Sequence, residues 1–155
     1  MPVLNQDVAL RFAELADFLE IDAANPFRIR AYRNAARTIG DLGEEVSDIV
    51  DRGDDLTSVE GIGKDLAAKI EEVLRSGTLH ALQEVQKRIP PSLGELLQLP
   101  GLGPKRVKVF YENLGIQSLD DLELAAREGR LRELPGMGKK TEEKLLGAIA
   151  SRRDA

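Results

Sequence analysis

The chain has 155 residues, of which 42% are hydrophobic and 4% aromatic, and it carries a net charge of −5. That length allows one domain or two small ones, and an aliphatic core without sustained alternation favours helices over sheet. Cysteine is absent and histidine occurs once, which excludes disulfides, thiolate metal sites and a zinc site made by histidine alone. No apolar run near the N-terminus is long enough for a signal peptide or a membrane span, so a soluble, intracellular, cytoplasmic protein is expected.

In chain order, Asn5 is expected to cap a first helix whose apolar face is Val8, Phe12, Leu15 and Leu19, spaced by three or four. Asn25-Pro26 reads as the cap and first position of a second helix that ends near Gly40. On it Phe27, Ala31, Ala35 and Ile39 recur every four residues and are expected to be buried. Arg30, Arg33 and Arg37 share another face, and Arg28 sits one turn before Tyr32. No acid occurs from Ala23 to Gly40, whereas Asp41 to Glu60 holds eight acids and the single base Arg52. This basic stripe beside an acidic flank can steer a polyanion to one face, although the net charge argues against a generic polyanion binder. Asp41 to Gly53 reads as a short acidic helix with Val46, Ile49 and Val50 turned inward.

A tight turn follows, then a helix from about Lys64 to Arg75 closed by Gly77, and a short helix carrying Leu79, Leu82 and Val85. Pro90-Pro91 cannot continue a helix and marks a boundary between domains 1–88 and 89–155. Ser92 is expected to cap a helix with Leu93, Leu96 and Leu97. A second turn and an outgoing helix ending at Gly115 come next. Ser118 to Asp121 has the form of a capping box with a short acidic partner, opening a helix that buries Leu119, Leu122 and Ala126 and stops at Gly129. A third turn and a last helix to about Ser151 complete the chain.

The three turns share one pattern: Val59-Glu60-Gly61-Ile62-Gly63-Lys64, Leu99-Pro100-Gly101-Leu102-Gly103-Pro104-Lys105 and Leu134-Pro135-Gly136-Met137-Gly138-Lys139-Lys140. A single Gly-x-Gly is ordinary punctuation between helices; three copies with the same apolar frame are not. Glycine permits positive φ and close backbone approach. Free N–H groups at the start of the outgoing helix, with the dipole behind them and a lysine nearby, make an anion site suited to nucleic-acid phosphate.

The repeated turn resembles the helix-hairpin-helix motif of DNA repair and replication proteins. Asn25 to Ala36 (NPFRIRAYRNAA), followed by Val59 to Lys64 and Ala68-Lys69-Ile70, resembles the N-terminal lyase domain of bacterial and archaeal family X DNA polymerases. Leu99 to Gly115 is similar to the subdomain that grips duplex DNA beside a gap. The resemblance implies an all-α chain of two small helical subdomains built on helix-hairpin-helix motifs. The polymerase palm is missing, so no nucleotide transfer is expected, and the chain is either an excised segment or a free-standing relative.

By the same resemblance, Lys69 corresponds to the lysine that forms a Schiff base with a 5′ deoxyribose phosphate. Asp65, Ala68 and Ala81 stand where members with strong lyase activity carry lysine, an acid and lysine, so 5′-phosphate binding is favoured over turnover. Sequence-independent DNA contacts are expected at Arg28, Arg30, Tyr32, Arg33, Gly61, Gly63, Lys64, Gly101, Gly103, Lys105, Arg106, Gly136, Gly138, Lys139 and Lys140. The backbone carbonyls of Thr57, Val59 and Ile62, and of Leu97, Leu99 and Leu102, match positions that hold Na+ or K+ in the family; no cofactor is required for binding. The implied partners are gapped or nicked duplex DNA in nucleoid-associated base excision repair, and other repair proteins, with no membrane. Two rival readings are a lyase acting through Lys69 and a helix-hairpin-helix domain that binds protein.

Overall fold

A computed structural model describes residues 3–154. Among them nine α-helices and two 3-10 turns occur, and no strand. The chain forms two compact units, the first ending at Arg88 and the second beginning at Ile89.

The first unit is built on α1 (Asn5–Ile21), which packs against α2 (Pro26–Gly40), α4 (Lys64–Ser76) and α5 (His80–Val85). Its stripe of Val8, Phe12, Leu15 and Leu19 is buried with Phe18, so the helical period read from the sequence is the period of the core. Asn5 does not cap this helix. Leu4 holds the cap position, and its N–H donates to Asp7 Oδ2 at 2.9 Å. Asn5 instead lies buried on the first turn, where its amide donates to the Glu44 carbonyl at 2.7 Å and its oxygen accepts the Val46 N–H at 2.7 Å. It thus caps α3 (Val46–Asp51), a helix shorter than the acidic run suggested, from a position 41 residues earlier in the sequence.

Asn25 and Pro26 start α2 as expected, with the Phe27 N–H donating to Asn25 Oδ1 at 2.8 Å. The buried face differs from the four-residue stripe. Ala35 and Ile39 are buried, but Ala31 is exposed and Phe27 is 74% exposed, its ring beside the Arg30 guanidinium 5.1 Å away. The inward face is set by Ile29 and Tyr32, both half-buried, ahead of Ala35 and Ile39. A strict spacing of four drifts off a helix face, whereas mixed spacings of three and four stay on it.

The second unit comprises α6 (Leu93–Leu97), α7 (Pro104–Leu114), α8 (Leu119–Arg127) and α9 (Lys139–Asp154). Its core is Leu93, Leu96, Val107, Phe110, Leu122, Leu131 and Ile149, all fully buried. Ser92 sits at the start of α6 in a helical conformation and makes no side-chain cap. Ser118 does cap α8, accepting the Asp121 N–H at 3.1 Å, while Asp121 reaches back to the Gln117 N–H at 3.0 Å, one residue earlier than a full capping box. The final helix runs to Asp154, past the expected Ser151.

One backbone feature stands against its residue type. The end of α1 closes with the Ala24 N–H bonded to the Leu19 carbonyl at 2.9 Å and Ala23 at φ +57°. The left-handed conformation costs a residue with a Cβ about 1–2 kcal/mol, partly offset by glycine's larger unfolded-state entropy. Ala23→Gly is therefore expected to stabilise the first unit by about 0.5–1 kcal/mol, read as a raised denaturant midpoint.

Candidate nucleic-acid interface

The three glycine turns have one hydrogen-bond pattern. Each starts from a fully buried leucine, Leu56, Leu96 or Leu131, that lies in a short helical turn. Its carbonyl accepts the N–H of Val59, Leu99 or Leu134 at 3.1, 3.1 and 3.0 Å. The carbonyls of those residues accept from Ile62, Leu102 and Met137 at 3.1, 3.1 and 3.2 Å. The first glycine of each copy takes positive φ, +91° at Gly61 and +77° at Gly101 and Gly136. The carbonyl of the second glycine accepts the N–H of the fourth residue of the outgoing helix, from Ala67, Val107 and Glu142 at 2.9, 3.1 and 3.1 Å. The N–H groups of Gly61, Gly63, Gly101, Gly103, Gly136 and Gly138 donate to no acceptor among the described residues. Behind them stand helices of 13, 11 and 16 residues, whose positive dipole ends face the same turns.

Cation pairing separates two groups. Arg11, Arg52, Lys87, Arg88, Arg127, Arg132, Arg152 and Arg153 each meet a carboxylate. Lys64, Lys105, Arg106, Lys139 and Lys140 at the turns are exposed and form no ion pair among the described residues, nor do Arg28 and Arg30 on α2. Arg37, Arg75, Lys108, Arg130 and Lys144 are likewise unpaired. Arg33 leaves the basic face: its guanidinium donates to Asp17 at 2.9 Å and Glu20 at 3.1 Å, tying α2 to α1. The first turn is the most acidic. Glu60 and Asp65 flank it, and the Asp55 carboxyl is held below its ordinary value chiefly by the Thr57 N–H and hydroxyl, with a smaller pull from Lys64. The second turn carries Lys105, Arg106 and Lys108 with no acid between Gln98 and Tyr111.

The carbonyls of Thr57, Ile62, Leu97 and Leu102 accept no N–H among the described residues, and those of Val59 and Leu99 keep one lone pair each. Neutral oxygens of this kind fit a hard monovalent cation.

Lys69 lies half-buried on α4, at a cavity of about 400 Å³ in the first unit. Arg28 from α2, Glu72 from α4, and His80, Glu84 and Arg88 line the same cavity. Arg88 is committed to Asp22 at 2.8 Å, and Glu84 to Lys87 at 2.9 Å with the His80 ring at 3.5 Å. Glu72 accepts the His80 N–H, capping α5. Arg28 and Lys69 have no such partner. Tyr32 is absent from the cavity lining: its ring stacks on Phe12 at 6.1 Å and carries the Arg28 guanidinium at 5.8 Å. The sequence reading identified Arg28 and Lys69 but missed Glu72, His80, Glu84 and Arg88. Glu72 was legible at three residues from Lys69 on one helix, but the α5 residues depend on how that helix packs.

The third turn is built differently inside. Ala67 and Val107 are buried in the first outgoing turn of α4 and α7, but the corresponding residue of α9 is Glu142, 2% exposed. Glu142 Oε2 accepts the Arg132 N–H at 3.1 Å and Oε1 accepts Arg132 Nε at 2.9 Å and Nη2 at 2.6 Å. The Arg132 hydrogen bonds hold the Glu142 carboxyl below its ordinary value. Leu134 and Met137 are half-buried where Leu99 and Leu102 are buried, so this ion pair stands in for part of the apolar lock.

Residues 3–79 match a family described as a helix-hairpin-helix domain, and residues 93–150 one described as a SAM-like helix-hairpin-helix tandem. Over 144 residues, 93% of this chain, the sequence is 34% identical to the DNA polymerase/3'-5' exonuclease PolX of Bacillus subtilis (strain 168), of which it covers 25%. Helix-hairpin-helix matches thus cover most of the chain, which is similar to this family X DNA polymerase and spans about a quarter of the length of that relative. No helix among the described residues is long and apolar enough to cross a membrane.

Two outcomes test this architecture. An alanine Cβ at Gly101 meets open space, so Gly101→Ala is expected to cost only the left-handed strain of about 1–2 kcal/mol. At Gly61 the Cβ also comes within 3.1 Å of Thr38 Cγ2, so Gly61→Ala is expected to lower the denaturant midpoint further. Because the Glu142 value is depressed in the folded chain, its contribution is complete above the unfolded value of about 4.3 and is lost as pH falls through the lowered one. Between pH 5 and 3 the wild type is therefore expected to lose more stability than Glu142→Gln, measured by denaturant melts at each pH.

Proposed function

We propose that this chain is a sequence-independent DNA-binding module for gapped or nicked duplex in cytoplasmic DNA repair. The first unit takes the 5′ phosphate at the cavity of Arg28 and Lys69, and the second holds duplex backbone through its two glycine turns. The observation that carries the reading is the pairing pattern. Cations at the turns, and Arg28 at the cavity, have no carboxylate, while most other arginines do. Free N–H groups and mobile cations contact phosphate oxygens and carry no base information. Na+ or K+ at the hairpin carbonyls offsets the repulsion between their dipoles and a DNA phosphate. A protein-interaction role gives no reason for unpaired lysines beside every turn.

A second reading, a deoxyribose-phosphate lyase, is favoured by one feature of the cavity. Lys69 is half-buried, lines the cavity together with Arg28 and has no carboxylate on its amine, which leaves that amine open to a sugar carbon bound there.

The test is binding to three fluorescent DNAs: intact duplex, gapped duplex with a 5′ phosphate, and the same gap with a 5′ hydroxyl. The phosphorylated gap is expected to bind tightest, with Arg28→Ala removing that preference. With about four to six phosphates contacted, log affinity should fall against log salt at a slope of roughly −4 to −5, and Lys105→Ala should reduce the slope by about 1. Equal affinity for all three DNAs contradicts the 5′-phosphate assignment. A salt-independent affinity, or a strong preference for one base sequence, contradicts the backbone reading.

A further inference from the structure

We infer that Glu72 is the base that drives elimination at the Lys69 cavity, an assignment that rests on the lyase reading. Lys69 and Glu72 lie three residues apart on α4 and line the same cavity. At that spacing the Cβ atoms of a helix are about 5–6 Å apart, so the two side chains rise from neighbouring points of one face and both reach the cavity. Because both groups stand on one rigid helix, their spacing does not depend on a loop. Glu72 forms no ion pair among the described residues. The other carboxylate of the cavity, Glu84, is held below its ordinary value by Lys87, which makes it a weaker proton acceptor. The position before Lys69 is Ala68, which offers no acid, and Ala68 is exposed and absent from the cavity lining.

The steps balance without an added reagent. The Lys69 amine attacks C1′ of the opened sugar, and loss of water gives the protonated imine. Glu72 removes a proton from C2′, and the C–H pair becomes the C1′=C2′ bond of an enamine as the imine π pair moves to nitrogen. The nitrogen pair then re-forms the imine, the double bond shifts to C2′=C3′, and the C3′–O bond breaks. The departing oxygen keeps its electrons as a 5′ phosphate on the DNA, and water hydrolyses the imine to free Lys69. Glu72 acts on the second step only.

Glu72 also accepts the His80 N–H, so a purely structural role as the cap of α5 is the alternative. Gln keeps a carbonyl oxygen for that bond and cannot take a proton, so Glu72→Gln separates the two roles. The experiment uses the whole chain and a duplex whose gap ends in a 5′ deoxyribose phosphate. Borohydride trapping reports the imine, and release of the 5′-phosphate strand reports elimination, for wild type, Glu72→Gln, Lys69→Ala and His80→Asn. The expected result is that Glu72→Gln still yields the trapped adduct but releases product about 100-fold or more slowly, the usual scale of a positioned base. Product release by Glu72→Gln at the wild-type rate overturns the assignment. So does equal loss of trapping and release, or a release defect seen in His80→Asn instead. If the wild type gives no Lys69-dependent adduct, the lyase reading falls and this assignment with it. Adduct formation with normal release in Glu72→Gln overturns the base alone.

Discussion

Each turn must reverse the chain and begin a new helix within five residues, and that constraint sets the rest of the structure. A helix that starts so abruptly leaves its first N–H groups without carbonyls, and a buried start would leave them unsatisfied. The chain keeps the turns at the surface and lets the first glycine take a conformation that a Cβ would strain. The apolar residues on either side, Leu56 with Ile62 and Leu96 with Leu102, then anchor each turn to the core. The groups left outside are donors. An element that exists to solve a backbone problem is thereby an anion site.

The charge distribution extends the same logic. A net charge of −5 is a poor starting point for holding a polyanion. Part of the acid is, however, paired with arginines outside the turns: Asp17 and Glu20 with Arg33, Asp22 with Arg88, Glu44 and Asp54 with Arg52, Asp120 and Glu123 with Arg153. Exposed pairs of this kind add little to stability. Their consequence is to neutralise charge of both signs away from the turns, while the lysines and arginines at the turns stay unpaired among the described residues. The first turn, with Glu60 and Asp65 beside it, is the weakest of the three by this measure. In the same unit, Arg28 and Lys69 place unpaired positive charge at the cavity.

Much of this was legible in the sequence because it depends on local rules. The Asn25-Pro26 start, the glycine that closes α4 at Gly77 and the stripe from Val8 to Leu19 follow from capping and helical period. What failed depends on partners far along the chain. Asn5 has the right side chain for a cap but serves α3, forty residues away, because that helix start comes within its reach. Phe27 fits a four-residue stripe and still points to solvent, since α1 covers the Ile29 and Tyr32 side of α2. Arg33 looked like its neighbours until Asp17 and Glu20 were placed across from it. Glu142 reads as a solvated helix residue, and only Arg132 explains its burial. Of the cavity, a helical spacing gives Lys69 with Glu72, whereas His80 and Arg88 need the fold.

The most direct measurement of the central claim is a titration of the isotopically labelled chain with gapped duplex, followed through its amide resonances. The account predicts that the largest shifts fall on the N–H groups of Gly61, Gly63, Gly101, Gly103, Gly136 and Gly138, with the first residues of α4, α7 and α9. Shifts that leave those glycines still and concentrate on α1 or on the acidic stretch from Asp41 to Asp55 would contradict it.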